Sequence, residues 1–456
     1  MRRNVDMLSG SITKGMLALA LPVIVMNVLL SLFNLIDMRM LQMLATDAEA
    51  GDIAKGAIGA TGSLITLTTS LIFGIATGAN VLIARNIGSR NQEGVKRSVG
   101  TSLAFAALGS VAMMLVGIFG AEQFLIWTNC DPELLSDATL YFQMYFAGAP
   151  LLVFCNFAGA ILRAKGDSRG PMFYMVIGGI VKVAVNAVLL VLMERDILAL
   201  SIATIVSWAV SSAFFAGAIW KKDSPVRVEK QYICFYKSEL KSMLHIGIPA
   251  GMQTALYSVA NVIIVTVVND FGKEATTGLG IANIYDGIIY QVSVGAAAAV
   301  MPYMSQNIGA GNLTRAKKAV TKGVWITVLL GGILGSMFAL LSRPLASIMS
   351  DNPEIIAFAQ QKIIVVSTLY FICGINEVMC AALRALKKPI IPTIATLVYM
   401  CGIRFVWVYA VFPWLKELVP DYALSLLYTI WPIGWILSIA TLLLWYIPAI
   451  KKLEKE

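Results

Sequence analysis

Twelve apolar segments, each long enough to cross a bilayer, run through the 456-residue chain. They lie at about 15–41, 57–84, 98–120, 138–162, 171–193, 197–220, 243–269, 276–305, 323–342, 355–383, 391–413 and 423–448. A helical span needs about 20 apolar residues. Several segments exceed this, so tilted or bent helices are expected, with Pro22, Pro150, Pro249 and Pro302 marking places where a helix can kink. Only 13% of residues are charged, against about 25% in soluble domains. In hydrocarbon every backbone polar group must be satisfied within its own segment, so apolar runs of this length form helices. The chain reads as an all-α integral membrane protein of twelve transmembrane helices.

The 35 Lys and Arg residues test that map. Loops on the N-terminal side hold 26 of them; the opposite loops hold only Lys55, Arg195, Lys273, Arg343 and Lys416. Four fall inside spans: Arg39, Lys182, Lys362 and Arg404. Cytoplasmic loops retain Lys and Arg, so the bias predicts an even span count with both termini cytoplasmic, in a plasma (bacterial inner) membrane. The net charge of +9 then reflects basic loops, and no nucleic-acid partner is expected. The stretch 15–40 is too long for the 7–15-residue core of a cleaved signal and is kept as the first helix. Of six cysteines only Cys130 falls in an outer loop, and His245 is the sole histidine. No disulfide pair, metal site or His-based catalytic centre is expected. No nucleotide-binding loop of the Gly-x-x-x-x-Gly-Lys type occurs, so the chain is not expected to be an enzyme.

The chain also repeats itself. ArgAsnIleGlySerArgAsn at 85–91 echoes GlnAsnIleGlyAlaGlyAsn at 306–312; Pro132-Glu133 matches Pro353-Glu354; Leu162-Arg163-Ala164 matches Leu383-Arg384-Ala385; Pro171 matches Pro392. Each pair is offset by 221, whereas LeuPro at 21–22 and IlePro at 248–249 are offset by 227. Six helices per half give both halves the same orientation, a parallel 6+6 repeat around a central cleft, which is a carrier architecture. The expected division is an N-terminal bundle over 1–220, a basic cytoplasmic linker over 221–241 and a C-terminal bundle over 242–456.

Taken together, LeuPro…AsnLeuIleAsp (21–37), the two AsnIleGly…Asn loops, LeuArgAlaLysGlyAspSerArgGlyPro (162–171), AlaThrIleValSer (203–207) and GlyIleProAlaGlyMetGln (247–253) resemble the multidrug and toxic compound extrusion (MATE) transporters of bacterial type, over essentially the whole chain. The resemblance implies an antiporter that expels organic compounds against a proton or sodium gradient. It also implies a cation site at Asp37, Asn186, the position of Leu190, and Thr204. The second fifth-helix carboxylate of that pattern is replaced by Leu190, and the seventh-helix Glu of some members falls near Tyr257. Both departures weigh against a sodium site.

Three acids lie inside spans: Asp37, Asp286 and Glu377. An intramembrane acid is a functional-site hypothesis by default. Asp37 either couples transport to a cation or caps its helix at the outer interface. Lys182 lies one turn before Asn186, on the same helix face. It either competes with protons for Asp37, pairing in one conformation, or is a snorkelling or fixed structural lysine. Asn34 completes the cation-coupling candidates. In the second half, Arg404 cannot deprotonate, so a pair with Asp286 or with Glu377 is expected. Glu377 is the repeat equivalent of Asn156. Tyr141, Tyr145, Asn156, Gln253, Tyr257, Asp286, Glu377 and Arg404 are the substrate-cleft candidates, with helix packing as the alternative for the aromatics. The expectation is a monomeric secondary transporter for cationic or amphipathic organic compounds, without cofactor, coupled to H⁺ or Na⁺ with H⁺ favoured. A lipid-linked oligosaccharide flippase of the same broad architecture is the alternative, and a scaffold or channel the third reading.

Overall fold

The computed structural model describes residues 5–44, 48–193, 196–222 and 224–455. Arg2, Arg3 and Arg195, counted in the loop sorting above, lie outside the described residues. The described chain is helical, without strands. Twelve spans follow in order: α1 (Ile12–Leu44), α2 (Ala48–Gly88), α3 (Gln92–Trp127), α4 (Pro132–Ala147 and Ala149–Ala164), α5 (Arg169–Leu192), α6 (Asp196–Ile219), α7 (Lys237–Asn269), α8 (Lys273–Gly309), α9 (Leu313–Leu340), α10 (Pro353–Ser367 and Tyr370–Ala385), α11 (Ile390–Leu418) and α12 (Ala423–Leu453). Ten are continuous by length and apolarity; α4 and α10 are each a bent pair, by 48° and 47°.

The repeated motifs turn out to be helix punctuation. Asn91 and Asn312, 221 apart, cap α3 and α9 by accepting from the backbone N–H of Gly94 (2.9 Å) and Arg315 (3.1 Å). The residues before them, Arg90 and Gly311, both take positive φ (56° and 73°). That left-handed corner is natural for Gly311 and strained for Arg90. Asp131 and Asn352 cap α4 and α10 ahead of a proline in the first turn, where the missing N–H removes no helix bond. Gly166 and Lys387 repeat a positive-φ turn after these helices. The two bends are also equivalent, Gly148 and Leu369 being 221 apart. Pro150 opens the second limb of α4. α10 has no proline there and bends through a π turn at Ile363–Ser367 instead.

By packing, the chain divides into two compact units, one built on Val25–Gly251, the other on Asp6–Ile24 with Met252–Glu456. The repeat boundaries at 220 and 242 are boundaries of sequence; the packing boundaries fall inside α1 and α7. Small residues explain the first unit's claim on the start of α7. Gly74 and Gly78 of α2 face Gly247 and Gly251 so closely that a Cβ on Gly74 would sit 2.2 Å from the Gly251 nitrogen, and one on Gly78 2.2 Å from the Met243 carbonyl oxygen. Two Gly-x-x-x-Gly pairs thus bring backbones into contact, the usual basis of tight helix crossings in lipid. The second unit repeats the crossing with α8 on the start of α1, where a Cβ on Gly295 would lie 2.3 Å from Ile24. Arg315 fastens the chain before α1 in that unit, donating to the carbonyl oxygens of Met7 (2.9 Å), Gly10 (2.9 Å) and Ser9.

Candidate functional site

In the first unit, α1 presents Asn34 and Asp37 one turn apart, and α5 presents Lys182 and Asn186 one turn apart. Equivalent spacing puts each pair on one helix face, and the two faces meet. Gly179 lets them: a Cβ there would lie 2.2 Å from the Phe33 ring. The Lys182 ammonium sits 2.5 Å from Asp37 Oδ2 and donates to Asn34 Oδ1 at 3.2 Å. Asn186 Nδ2 donates to Asp37 Oδ1 at 3.0 Å. Asp37 is 5% exposed and Asn186 fully buried. Among the described residues the Asn186 amide oxygen has no hydrogen-bond donor, which is rare for a buried polar atom.

This group opens on a cavity of about 450 Å³. Tyr141, Tyr145, Thr204 and Trp208 line it together with Asn34, Asp37 and Lys182. Tyr145 meets Trp208 edge-on at 5.0 Å and Tyr141 at 6.3 Å, tilted. Thr204 donates to the Leu200 carbonyl of its own helix at 2.9 Å. Leu190 is buried in an apolar cluster with Leu41 and Leu200. Of the thirteen residues singled out from the sequence, the structure therefore gathers seven here: Asn34, Asp37, Tyr141, Tyr145, Lys182, Asn186 and Thr204. Asn156 stands apart from this cavity and donates to Leu152 in its own helix at 3.0 Å.

The remaining candidates belong to the second unit. Tyr257 donates to Glu377 Oε1 at 3.3 Å and accepts from Asn376 at 3.1 Å. Gln253 accepts from Arg384 at 2.5 Å and donates to the Cys380 sulfur at 3.5 Å. One pairing differs from expectation. Asp286 is matched neither to Arg404 nor left free: Lys362 lies 3.0 Å from its Oδ2 and Ser367 donates to its Oδ1 at 3.1 Å. Among the described residues Arg404 has no carboxylate within salt-bridge distance. It donates to Asn261 Oδ1 at 2.8 Å and lies over the Trp431 ring at 4.8 Å. The reason is helix placement. α10 packs directly on α8, so Lys362 reaches Asp286 first. Span membership was visible for Lys362 in the sequence, but span membership alone does not name a neighbour.

A sequence profile described as MatE matches residues 22–188 and 249–410. The "Probable multidrug resistance protein YoeA" of Bacillus subtilis is 24% identical over 84% of this chain and 83% of its own length. The "FAD transporter" of Shewanella oneidensis is also 24% identical, over 86% of each. Among solved structures, an outward-facing multidrug resistance MATE family transporter of the MOP superfamily superposes with a TM-score of 0.89, covering 100% of both chains at 20% identity.

Proposed function

The chain belongs to the MatE family and is a multi-pass membrane transporter, not an enzyme; from that premise we propose that it exports amphipathic organic compounds from the cell by alternating access, in exchange for protons taken up at Asp37. The reading includes a plasma-membrane location with both termini cytoplasmic. The observation that carries it is the Lys182 ammonium on the Asp37 carboxylate. A sodium ion needs several oxygen ligands, and here a fixed cation already occupies the carboxylate. A proton needs only one oxygen lone pair.

The chemistry follows from charge. With Asp37 ionised, the cavity holds a neutral ion pair. Protonation of Asp37 removes the counter-charge of Lys182 and leaves the cavity positive, a poor host for a cationic substrate. Proton and cationic substrate therefore exclude one another, which is the requirement for antiport. Asn186 suits both states. Its amide donates to the carboxylate now, and a half-turn of the amide would present its unpartnered oxygen to the carboxyl proton.

The experiment is efflux from proteoliposomes with pH and Na⁺ gradients imposed separately. The proposal expects efflux driven by the pH gradient and indifferent to Na⁺. Efflux that follows Na⁺ and ignores pH would overturn it.

A further inference from the structure

The two units carry related but unequal polar centres. Asn34 and Asn261 are 227 apart, the repeat offset of the first helix in each half. Lys182 and Arg404 are 222 apart, one more than the offset of 221 that holds from Pro171 to Pro392. The π turn Thr396–Gly402 of α11 lies between Pro392 and Arg404, where a helix can take up one extra residue. The cation-to-asparagine bond of the first unit, Lys182 to Asn34, thus recurs in the second as Arg404 to Asn261. The carboxylate does not recur: Asp37 corresponds to Ile264, which is buried and apolar.

Arg404 is 2% exposed and keeps its charge, yet among the described residues only one of its hydrogen bonds is taken up by a protein acceptor. Two further donor atoms are buried and unpartnered among the described residues, the Tyr428 hydroxyl in an apolar cluster and the indole N–H of Trp407, which packs against that cluster. Tyr428 packs beside Trp431, with ring centroids 6.0 Å apart, and Trp431 lies under both Arg404 and Lys362. Asp286 is engaged by Lys362 and Ser367, so it does not serve Arg404. The cluster is aromatic, and these three side chains keep unused donor capacity among the described residues.

We propose that the second unit binds the acidic group of an amphipathic aromatic substrate, a carboxylate or phosphate, at Arg404, with Trp407 and Tyr428 as additional donors and the surrounding aromatic side chains holding its apolar body. Binding at equilibrium needs no ion gradient, so this site stands or falls separately from proton coupling.

The test is equilibrium dialysis of the full-length protein in phosphatidylcholine nanodiscs with a charge-matched pair of probes, 1-naphthylacetate and 1-naphthylmethylammonium. Wild type is expected to retain the acetate, Arg404→Gln to weaken it about tenfold or more, and Arg404→Lys to restore most of it. Trp407→Phe combined with Tyr428→Phe leaves the charge in place and is expected to weaken it severalfold. Binding of the ammonium probe should not fall with any of these. Should Arg404→Gln fail to fold, the Phe pair decides alone. Acetate binding that is absent in wild type, unchanged in the Phe pair, or lost in parallel with the ammonium probe overturns the proposal.

Discussion

Asp37→Asn separates folding from coupling. The carboxylate and ammonium are 2.5 Å apart, with Asp37 5% exposed and the Lys182 side chain 16% exposed. At that distance and an effective dielectric of about 20, the bare attraction is about 7 kcal/mol. Desolvation of two charges offsets much of it, and removing one partner of a buried pair costs about 3–5 kcal/mol, because the other is left buried and charged. In Asp37→Asn, Lys182 keeps Asn34 Oδ1 and faces the cavity, so the lower end, about 3 kcal/mol, is expected. For a unit of this size that corresponds to roughly 6–12 °C in thermal midpoint. The double variant Asp37→Asn with Lys182→Met removes both charges and should recover most of the loss, since replacing a whole buried pair is often neutral. Neither variant can take up the proton. The assay is a thermal scan of each purified protein beside pH-driven efflux in proteoliposomes. The expected pattern is low, then restored, stability with efflux absent in both. A single variant that melts within a degree of wild type would refute the buried-pair reasoning; a double variant that still transports on a pH gradient would refute the coupling role.

The second unit offers a parallel case. Asp286→Asn should lower its thermal midpoint by a comparable amount, since Lys362 is 1% exposed and loses its counter-charge, and adding Lys362→Met should restore it; equal melting of single and double variants would contradict this. Gly74→Ala places a methyl 2.2 Å from the Gly251 nitrogen, so a loss of about 1–3 kcal/mol is expected from overpacking, read as a lower midpoint, whereas Gly59→Ala, which has open space, should change it little. Arg315→Ala frees the carbonyl oxygens of Ser9 and Gly10 and leaves that of Met7 with Asn307 alone. Amide exchange over residues 7–12 should quicken about tenfold or more, and unchanged exchange would show the anchor to be idle.

The spans and the repeat were legible in the sequence because each rests on a strong local signal; the Asp37 group was brought together only through the family resemblance. Apolar length marks a span, and polar residues one turn apart within a span share a face. Pro150 likewise announced the bend in α4. The bend in α10 was hidden because a π turn makes it without a proline. In α11 a one-residue shift leaves Arg404 out of register with Lys182, so that their equivalence could not be read from a fixed offset. The Asp286–Lys362 pair was hidden for a different reason. Its members are 76 residues apart on separate helices, and choosing between Lys362 and Arg404 needs the packing of α8 on α10. The Gly-x-x-x-Gly pairs at 74–78 and 247–251 were present as a pattern, but only the crossing gives them meaning.

The placement of the two charge pairs argues that each is retained for its own sake. Duplication would put equivalent residues at equivalent places, yet the positions 221 before Asp286 and Lys362 are Ile65 and Tyr141, both lining the first unit's cavity. Conversely, Asp37 corresponds to Ile264. The acid–lysine pair therefore sits between α1 and α5 in one unit and between α8 and α10 in the other, on helices the repeat does not relate. A shared ancestor accounts for the common scaffold, including the caps, bends and glycine crossings. It does not account for two buried ion pairs at unrelated positions, each of which costs desolvation that an apolar pair would avoid. What the halves kept from duplication is the cation-to-asparagine bond; what they acquired separately is the counter-charge. Each half thus balances its own lysine with a carboxylate of its own, Asp37 in the first and Asp286 in the second.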